Sequence, residues 1–363
     1  MTGAAFSLHR LNALSLAGSG LARRDAVAPA AQGEGFAAAY DRETLWYDAL
    51  TVGRETWLIC PKLLNLSPLL KTLELDGTPV RLKGIQRHRR YDIARLGQTG
   101  RRLSVSHEGW HADCAVGPLQ TDAFEGLDAS VHISRNNRLE WIADWARFHV
   151  AEQGLEAMLV IDNGSDDYPP EAILDTMERA GLKAGAVLLA PQPYGPVRAR
   201  RGGGGAKFLQ PAMLNLARIR FLARARAVLS ADLDELVWTE GKSIFDHAAA
   251  ARTGWAMVEG RWRMPPDGAA APLRHADHTH LRKGDPACPP KWCARPGAVL
   301  SRRGWEVHGP EMPLPARWLT VPDGGYWHCR AVTTNWKDYD RLNTRHIGPF
   351  DRATAEKLAL RLP

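Results

Sequence analysis

A chain of 363 residues with 45% hydrophobic content is long enough for one large domain and a smaller one, each around its own core. Its net charge of +7 favours anionic partners, whether nucleic acid, phosphorylated sugars or a membrane surface, without choosing among them. Five cysteines, an odd number at irregular spacing, argue against a secreted disulfide framework.

Residues 1–40 are Gly/Ala-rich and are expected to be poorly ordered. Within them, the stretch 11–31 is too weakly apolar to span a bilayer. Nothing near Met1 reads as a signal peptide, so a cytosolic enzyme is expected. The positive charge is compatible with peripheral attachment to an anionic inner membrane surface. Residues 41–125 read as a β-rich accessory module. There, short apolar runs such as Thr56-Trp57-Leu58-Ile59-Cys60 and Leu103-Ser104-Val105-Ser106 are separated by turn signals such as Asp76-Gly77-Thr78-Pro79.

From residue 126 the rhythm becomes strand, helix, strand, helix. Ser130-Val131-His132-Ile133, Ala157-Met158-Leu159-Val160-Ile161, Ala186-Val187-Leu188-Leu189-Ala190 and Ala227-Val228-Leu229-Ser230 are nearly continuous apolar strands. Asn136 or Asn137 is positioned to cap the first helix. Pro169 and Pro170 open the second, and Pro211 opens a third that runs to about Arg226. Such strands predict an α/β fold, with a mostly parallel sheet covered by helices on both faces. Ligands of such sheets sit beyond the carboxyl ends of the strands.

The polar residues after those strands are therefore the candidate site. Asp232-Leu233-Asp234-Glu235 places two carboxylates at i and i+2, able to share one Mn or Mg ion and, through it, a diphosphate. A solvated acidic turn would carry the same residues. Asp162-Asn163-Gly164-Ser165 could bind a base or ribose, or could simply be a turn held by Asx chemistry. Gly202-Gly203-Gly204-Gly205-Ala206-Lys207 matches no nucleotide fingerprint and reads as a flexible loop, with Lys207 a candidate phosphate contact. Lys291 and Arg295 could neutralise a diphosphate, and His308 could complete a metal shell. A zinc set drawn from His278, His280, Cys288, Cys293 and His328 lacks any paired Cys-x-x-Cys spacing, and His111-Ala112-Asp113-Cys114 fares no better. Trp305, Trp318, Trp327 and Trp336 fall in the irregular C-terminal part, where they could stack on sugars or fill core.

The order of these motifs resembles glycosyltransferases of the GT-A fold, family-2-like and family-92-like. The resemblance runs from Ile133-Ser134-Arg135-Asn136-Asn137 through Trp141-Ile142-Ala143-Asp144-Trp145, His149, Ile161-Asp162-Asn163-Gly164-Ser165 and Asp232-Leu233-Asp234-Glu235 to Lys291, Arg295-Pro296 and His308. It covers residues 129–339, within an expected transferase domain of 126–363. It departs where such enzymes often carry an acidic residue after the first-strand Asn, since Arg138 follows Asn136-Asn137 here.

The resemblance implies a metal-dependent hexosyl transfer from a UDP-sugar to a glycan acceptor in surface or capsular polysaccharide synthesis, with inversion at the anomeric carbon. By it, Asn136, Asp162, Asp232, Lys291 and Arg295 would bind the donor, and Lys207, read from its own loop, is a further donor-binding candidate. Asp232, Asp234 and His308 would hold Mn or Mg. Inversion needs a base for the acceptor hydroxyl, and Glu259, Glu306 and Asp323 are the candidates. A non-catalytic nucleotide- or glycan-binding protein on the same fold is the alternative. No nucleic-acid module is recognisable and the arginines are spread along the chain, so nucleic acid is not an expected partner. The sequence sets no oligomeric state.

Overall fold

The computed structural model describes residues 5–196, 203–312, 314–334 and 342–362. Two compact units divide the chain. One comprises residues 1–9, 121–189 and 222–363, and the other residues 10–120 and 190–221.

In the larger unit the elements run as follows: β1 (Phe6–Arg10), β2 (Asp128–Ser134), α1 (Leu139–Gln153), β3 (Ala157–Asp162), α2 (Glu171–Arg179), β4 (Ala184–Leu189), β5 (Ala227–Ser230), β6 (Glu235–Thr239), α3 (Ile244–Ala250), β7 (Trp255–Met264), β8 (His280–Arg282), β9 (Ala287–Ala294), β10 (Gly324–Cys329), β11 (Ile347–Phe350) and α4 (Arg352–Arg361). The sheet order is β1-β4-β3-β2-β5-β9-β7-β8-β11, with β10 joining β6 to β7. The run β4-β3-β2-β5 is parallel. Every residue of β2 and β3 is buried, as their unbroken apolar sequence requires of strands covered on both faces. Beyond β5 the sheet continues as antiparallel strands, which the fading alternation after Val237 did not reveal.

Chain direction reverses its progress across the sheet between β2 and β5. The carboxyl ends of those two strands therefore flank the crevice in which doubly wound sheets take ligands.

Helix α1 secures β6 in an unusual way. Trp141, Trp145, His149 and Gln153 fall on one stripe at i+4 spacing. Trp145 Nε1 donates to Glu235 O (2.7 Å), Val237 N donates to His149 Nε2 (3.0 Å), and Gln153 Nε2 donates to Val237 O (3.3 Å). Trp141 Nε1 donates to Leu273 O (2.8 Å). The stripe thus supplies β6 with the partners that a neighbouring strand would give, on the edge not paired with β10. Neither Asn136 nor Asn137 caps α1, because the cap position falls on Arg138 with no side-chain bond. Asn137 Nδ2 instead donates to Ser134 Oγ, and Asn136, at φ +52°, ties the loop after β2 to the loop after β3.

The smaller unit is built on two four-stranded sheets, with Asp48–Val52, Glu55–Pro61, Tyr91–Leu96 and Leu82–Arg87 in one and Trp110–Ala115, Arg102–His107, Leu73–Leu75 and Thr78–Pro79 in the other. The unit spans 10–120 and 190–221, where the sequence led to an expected module of 41–125. Arg23, from the segment expected to be loose, is fully buried, and its guanidinium donates to the carbonyls of Lys62, Asp41 and Thr44. The helix expected from Pro211 to Arg226 spans Leu209–Arg220 and packs in this unit on Glu55–Pro61 and Tyr91–Leu96. There Arg220 meets the buried Asp48 at 2.7 Å.

His149 is neutral in this arrangement. Its Nε2 accepts from Val237 N, so the proton sits on Nδ1 and faces Trp145 O (2.8 Å). Burial holds its pKa down to about 3, against an ordinary 6.5. A histidine whose folded pKa is depressed favours the folded state above its unfolded value, and that contribution is lost as pH falls from 6.5 toward 3. Replacing His149 with Gln keeps an acceptor for Val237 N and removes the titration. Between pH 6.5 and 5 the wild type is expected to lose about 2 kcal/mol more unfolding free energy than His149→Gln. Denaturant unfolding at the two pH values measures it, and parallel losses would refute the assignment.

Candidate active site

Four successive carbonyls of Asp232-Leu233-Asp234-Glu235 are each held. Glu235 N donates to Asp232 O (3.0 Å), His275 Nε2 donates to Leu233 O (2.8 Å), Cys329 N donates to Asp234 O (2.7 Å), and Trp145 Nε1 takes Glu235 O. The Glu235 carboxylate in turn accepts from Asp232 N (2.7 Å), closing the turn from both ends. His275 is fully buried, with Nδ1 3.7 Å from a carboxylate oxygen of Asp144. Arg274 Nε donates to the same carboxylate at 2.7 Å. A turn fixed at every carbonyl presents its side chains with little freedom left to lose on binding.

Those side chains diverge. Asp232 points to Lys291, whose Nζ lies 2.6 Å from Asp232 Oδ2 and 2.8 Å from Glu235 Oε2. Asp234 points to His328, with Nε2 3.0 Å from Oδ2. The pairing of β6 with β10 sets Glu235 opposite His328, and that of β5 with β9 puts Lys291 one residue past the end of β5. Burial opposes the charge on Lys291, but Asp232 and Glu235 carry its pKa well above the ordinary lysine range. Burial likewise opposes the charge on His328, yet Asp234 raises its pKa to about 9. Burial raises the Glu235 carboxyl, against the pull of Lys291. Trp262 stacks flat on His328, with centroids 3.8 Å apart, and the guanidiniums of Arg330 and Arg282 lie over the indole.

Asp234, Glu235 and His328 offer ligand atoms within 4.8 Å of one another, the one such group among the described residues. Two carboxylates and an imidazole fit a divalent cation of the Mn class, and also Mg if water completes its shell. A metal there would replace the proton that His328 now holds.

The other residues singled out from the sequence are distributed as follows. Asp162 ends β3, buried, with its carboxylate accepting from Ser165 N and Oγ; burial raises its pKa against those bonds. Asn136 joins it at the carboxyl ends of the parallel strands, donating to Asp166 Oδ1 and accepting from Asp166 N. His308 sits outside the three-residue ligand group, with Nδ1 3.3 Å from the carbonyl of Pro290, which precedes Lys291.

Arg295 is not at this end. Its N–H donates to Gly254 O, level with the start of β5, four residues and roughly 14 Å along the strand from Lys291. Asp323 stands before β10, at the Thr239 end of β6 and away from Glu235. Glu259 is exposed at a bulge in β7, and Glu306 is half-buried in the hairpin Trp305–Glu306 with Gly309–Pro310, where its carbonyl accepts from Trp292 Nε1. The three base candidates are therefore not gathered at one point. Lys207 belongs to the smaller unit, after the turn Gly203–Ala206. Gly202 and Trp336 lie outside the described residues.

Glu235 was given no role from the sequence, and His328 entered only a zinc set that its spacing argued against. Glu235 was in plain view inside the motif, but His328 becomes its partner only through strand register.

No protein-family model matches the chain, and no curated protein does. Among solved structures it is similar to S. aureus TarS 1-349, at 15% identity and TM-score 0.29, over 65% of this chain and 71% of that one. A second S. aureus TarS structure matches at 14% identity and TM-score 0.29, over 64% of this chain and 42% of that one. A likeness at that score decides neither fold nor activity.

Removing the ammonium from between two carboxylates leaves buried charge uncompensated. Lys291→Met is expected to lower unfolding free energy by about 3 kcal/mol, and adding Glu235→Gln to recover part of that loss. Denaturant titration of both variants reads the coupling, and a Lys291→Met protein as stable as wild type would contradict the pairing.

Proposed function

We propose that the chain is a glycosyltransferase that moves a hexose from a nucleotide donor, a UDP-sugar, to a glycan acceptor in surface or capsular polysaccharide synthesis. The observation that carries the reading is the convergence of Asp232, Asp234, Glu235, Lys291 and His328 at the carboxyl end of β5, at the point where the sheet order reverses. Doubly wound sheets take nucleotides there. The resemblance of motif order to GT-A transferases supports the same reading.

In this proposal Asp162 and Asn136, beyond β3 and β2, face the nucleoside, and Asp232 reaches the ribose. Asp234, Glu235 and His328 hold Mn or Mg, which offsets the charge of the departing diphosphate when bound. His308, on the rim beside Pro290, remains a candidate further ligand. Lys291 is too buried to lie along a phosphate freely, and its part is to fix Asp232 and Glu235 while lending positive potential to the site. Transfer is a single displacement. The acceptor oxygen bonds to the anomeric carbon as the bond to the diphosphate breaks, and a carboxylate takes the acceptor proton. Of the three base candidates, Glu259 is one residue from Val258, the partner of Lys291, and Glu306 is tied by its carbonyl to Trp292, the neighbour of Lys291.

The test is release of UDP from UDP-sugars in the presence of Mn. Wild type is expected to turn over and Asp234→Ala to lose at least about a hundredfold in rate while remaining folded at the assay temperature. Melting shifts across a panel of nucleotide sugars, with and without Mn, identify the donor, since a ligand at a hundred times its dissociation constant stabilises by about 2.7 kcal/mol. Undiminished turnover in Asp234→Ala removes the metal role. Tight UDP binding without release across a broad acceptor panel identifies a nucleotide-binding protein instead.

A further inference from the structure

The chain that follows β9 leaves the sheet at the end opposite the acidic turn. Arg295 N donates to Gly254 O just before β7 begins, and the chain returns where Met257 N donates to Leu319 O. Between these anchors lie the single turns Ser301–Arg303 and Ala316–Trp318. Arg295, Arg302, Arg303 and Arg317 are exposed, and none of the four forms an ion pair among the described residues. Some other arginines of the same unit are ion-paired. Arg224 is held by Asp122 and Glu125, and Arg226 by Asp128 and Asp246. No Asp or Glu occurs from residue 295 to residue 305. Two large apolar side chains stand in the same excursion, Val299 at 77% exposure and Trp318 at 64%.

We propose that this end of the larger unit docks on an anionic membrane surface. The four guanidiniums meet lipid headgroups while Val299 and the Trp318 indole enter the interface. Unpaired arginines beside anionic lipid each add about fivefold to partition, without the cost of first breaking an ion pair. Trp favours the headgroup level because its ring is apolar and its N–H polar. Arginine alone would serve RNA or a phosphorylated polymer equally well. The exposed Val299 is what favours a bilayer, since an aliphatic side chain gains there and gains nothing on a phosphate backbone. The proposal is independent of the reaction assigned to the other end of the sheet.

The full chain is tested by co-sedimentation with phosphatidylglycerol–phosphatidylcholine vesicles and with pure phosphatidylcholine vesicles. Wild type is expected to bind the anionic vesicles, and to be released as ionic strength rises. Arg302→Glu with Arg303→Glu should weaken partition at least about twentyfold. Arg54→Glu with Arg81→Glu, an equal change of charge in the smaller unit, should leave it unaltered. Trp318→Ser should weaken binding without changing its salt dependence. Melting temperatures equal to wild type confirm that each variant is folded. Equal binding to neutral vesicles overturns the proposal, as does an equal loss in the Arg54/Arg81 variant. Short RNA that displaces the protein from vesicles and is itself released by the Arg302/Arg303 change would overturn it in favour of a nucleic-acid surface.

Discussion

Charge balance in a buried cluster governs the candidate site. Three carboxylates, Asp232, Asp234 and Glu235, lie within four residues, and two of them are almost fully buried. Taking ionised carboxylates out of water costs several kcal/mol each unless cations come with them. Lys291 and His328 are those cations, and each arrives from a different antiparallel strand. With all three carboxylates ionised they outnumber the two cations by one. That residual negative charge is open to solvent at the exposed edge of Asp232.

The same constraint explains why the turn is pinned so thoroughly. If the backbone of residues 232–235 could rotate, Asp232 would swing away from Lys291 and leave an ammonium buried alone. His275, Cys329 N and Trp145 prevent that, and each is backed in turn. Trp145 sits on the α1 stripe that also anchors Val237, and His275 lies against Asp144, itself fixed by Arg274. Asp144 and Trp145 are neighbours in the sequence. One turn of α1 therefore braces the acidic motif from two directions. Gly260 adds a steric condition on the far side, since a Cβ there would stand 2.0 Å from the Tyr326 ring, whose hydroxyl donates to Pro289 O. A side chain at 260 would displace the Tyr326 ring that bonds β9 at Pro289.

How much of this the sequence discloses follows from the range of each interaction. The parallel strands were legible because burial on both faces leaves unbroken apolar runs, and the acidic turn because it follows one of them. Asn136 and Asn137 misled because their cap chemistry is local, whereas their actual partners sit on Ser134 and on the loop 165–167. Arg23 could not be seen as a core residue, because the carbonyls that satisfy it come from residues 41–62. The pairing of Glu235 with His328 spans most of a hundred residues and depends on register alone. A slip of one residue would turn His328 to the opposite face.

Strand β9 shows how one register decides two surfaces. Its sequence Lys291-Trp292-Cys293-Ala294 leads into Arg295, and on paper Lys291 and Arg295 look like one basic patch at i and i+4, as they would be on a helix. On a strand the same four residues are a ruler. Trp292 and Cys293 are paired and buried between β5 and β7, so the two cations are delivered to opposite ends of the sheet. Lys291 reaches the acidic turn and is consumed by it. Arg295 emerges where the chain leaves the sheet, beside arginines that pair with no carboxylate among the described residues. The separation is a consequence of strand geometry: one cation is spent on internal neutralisation at the acidic turn, and the other is exposed where the chain leaves the sheet.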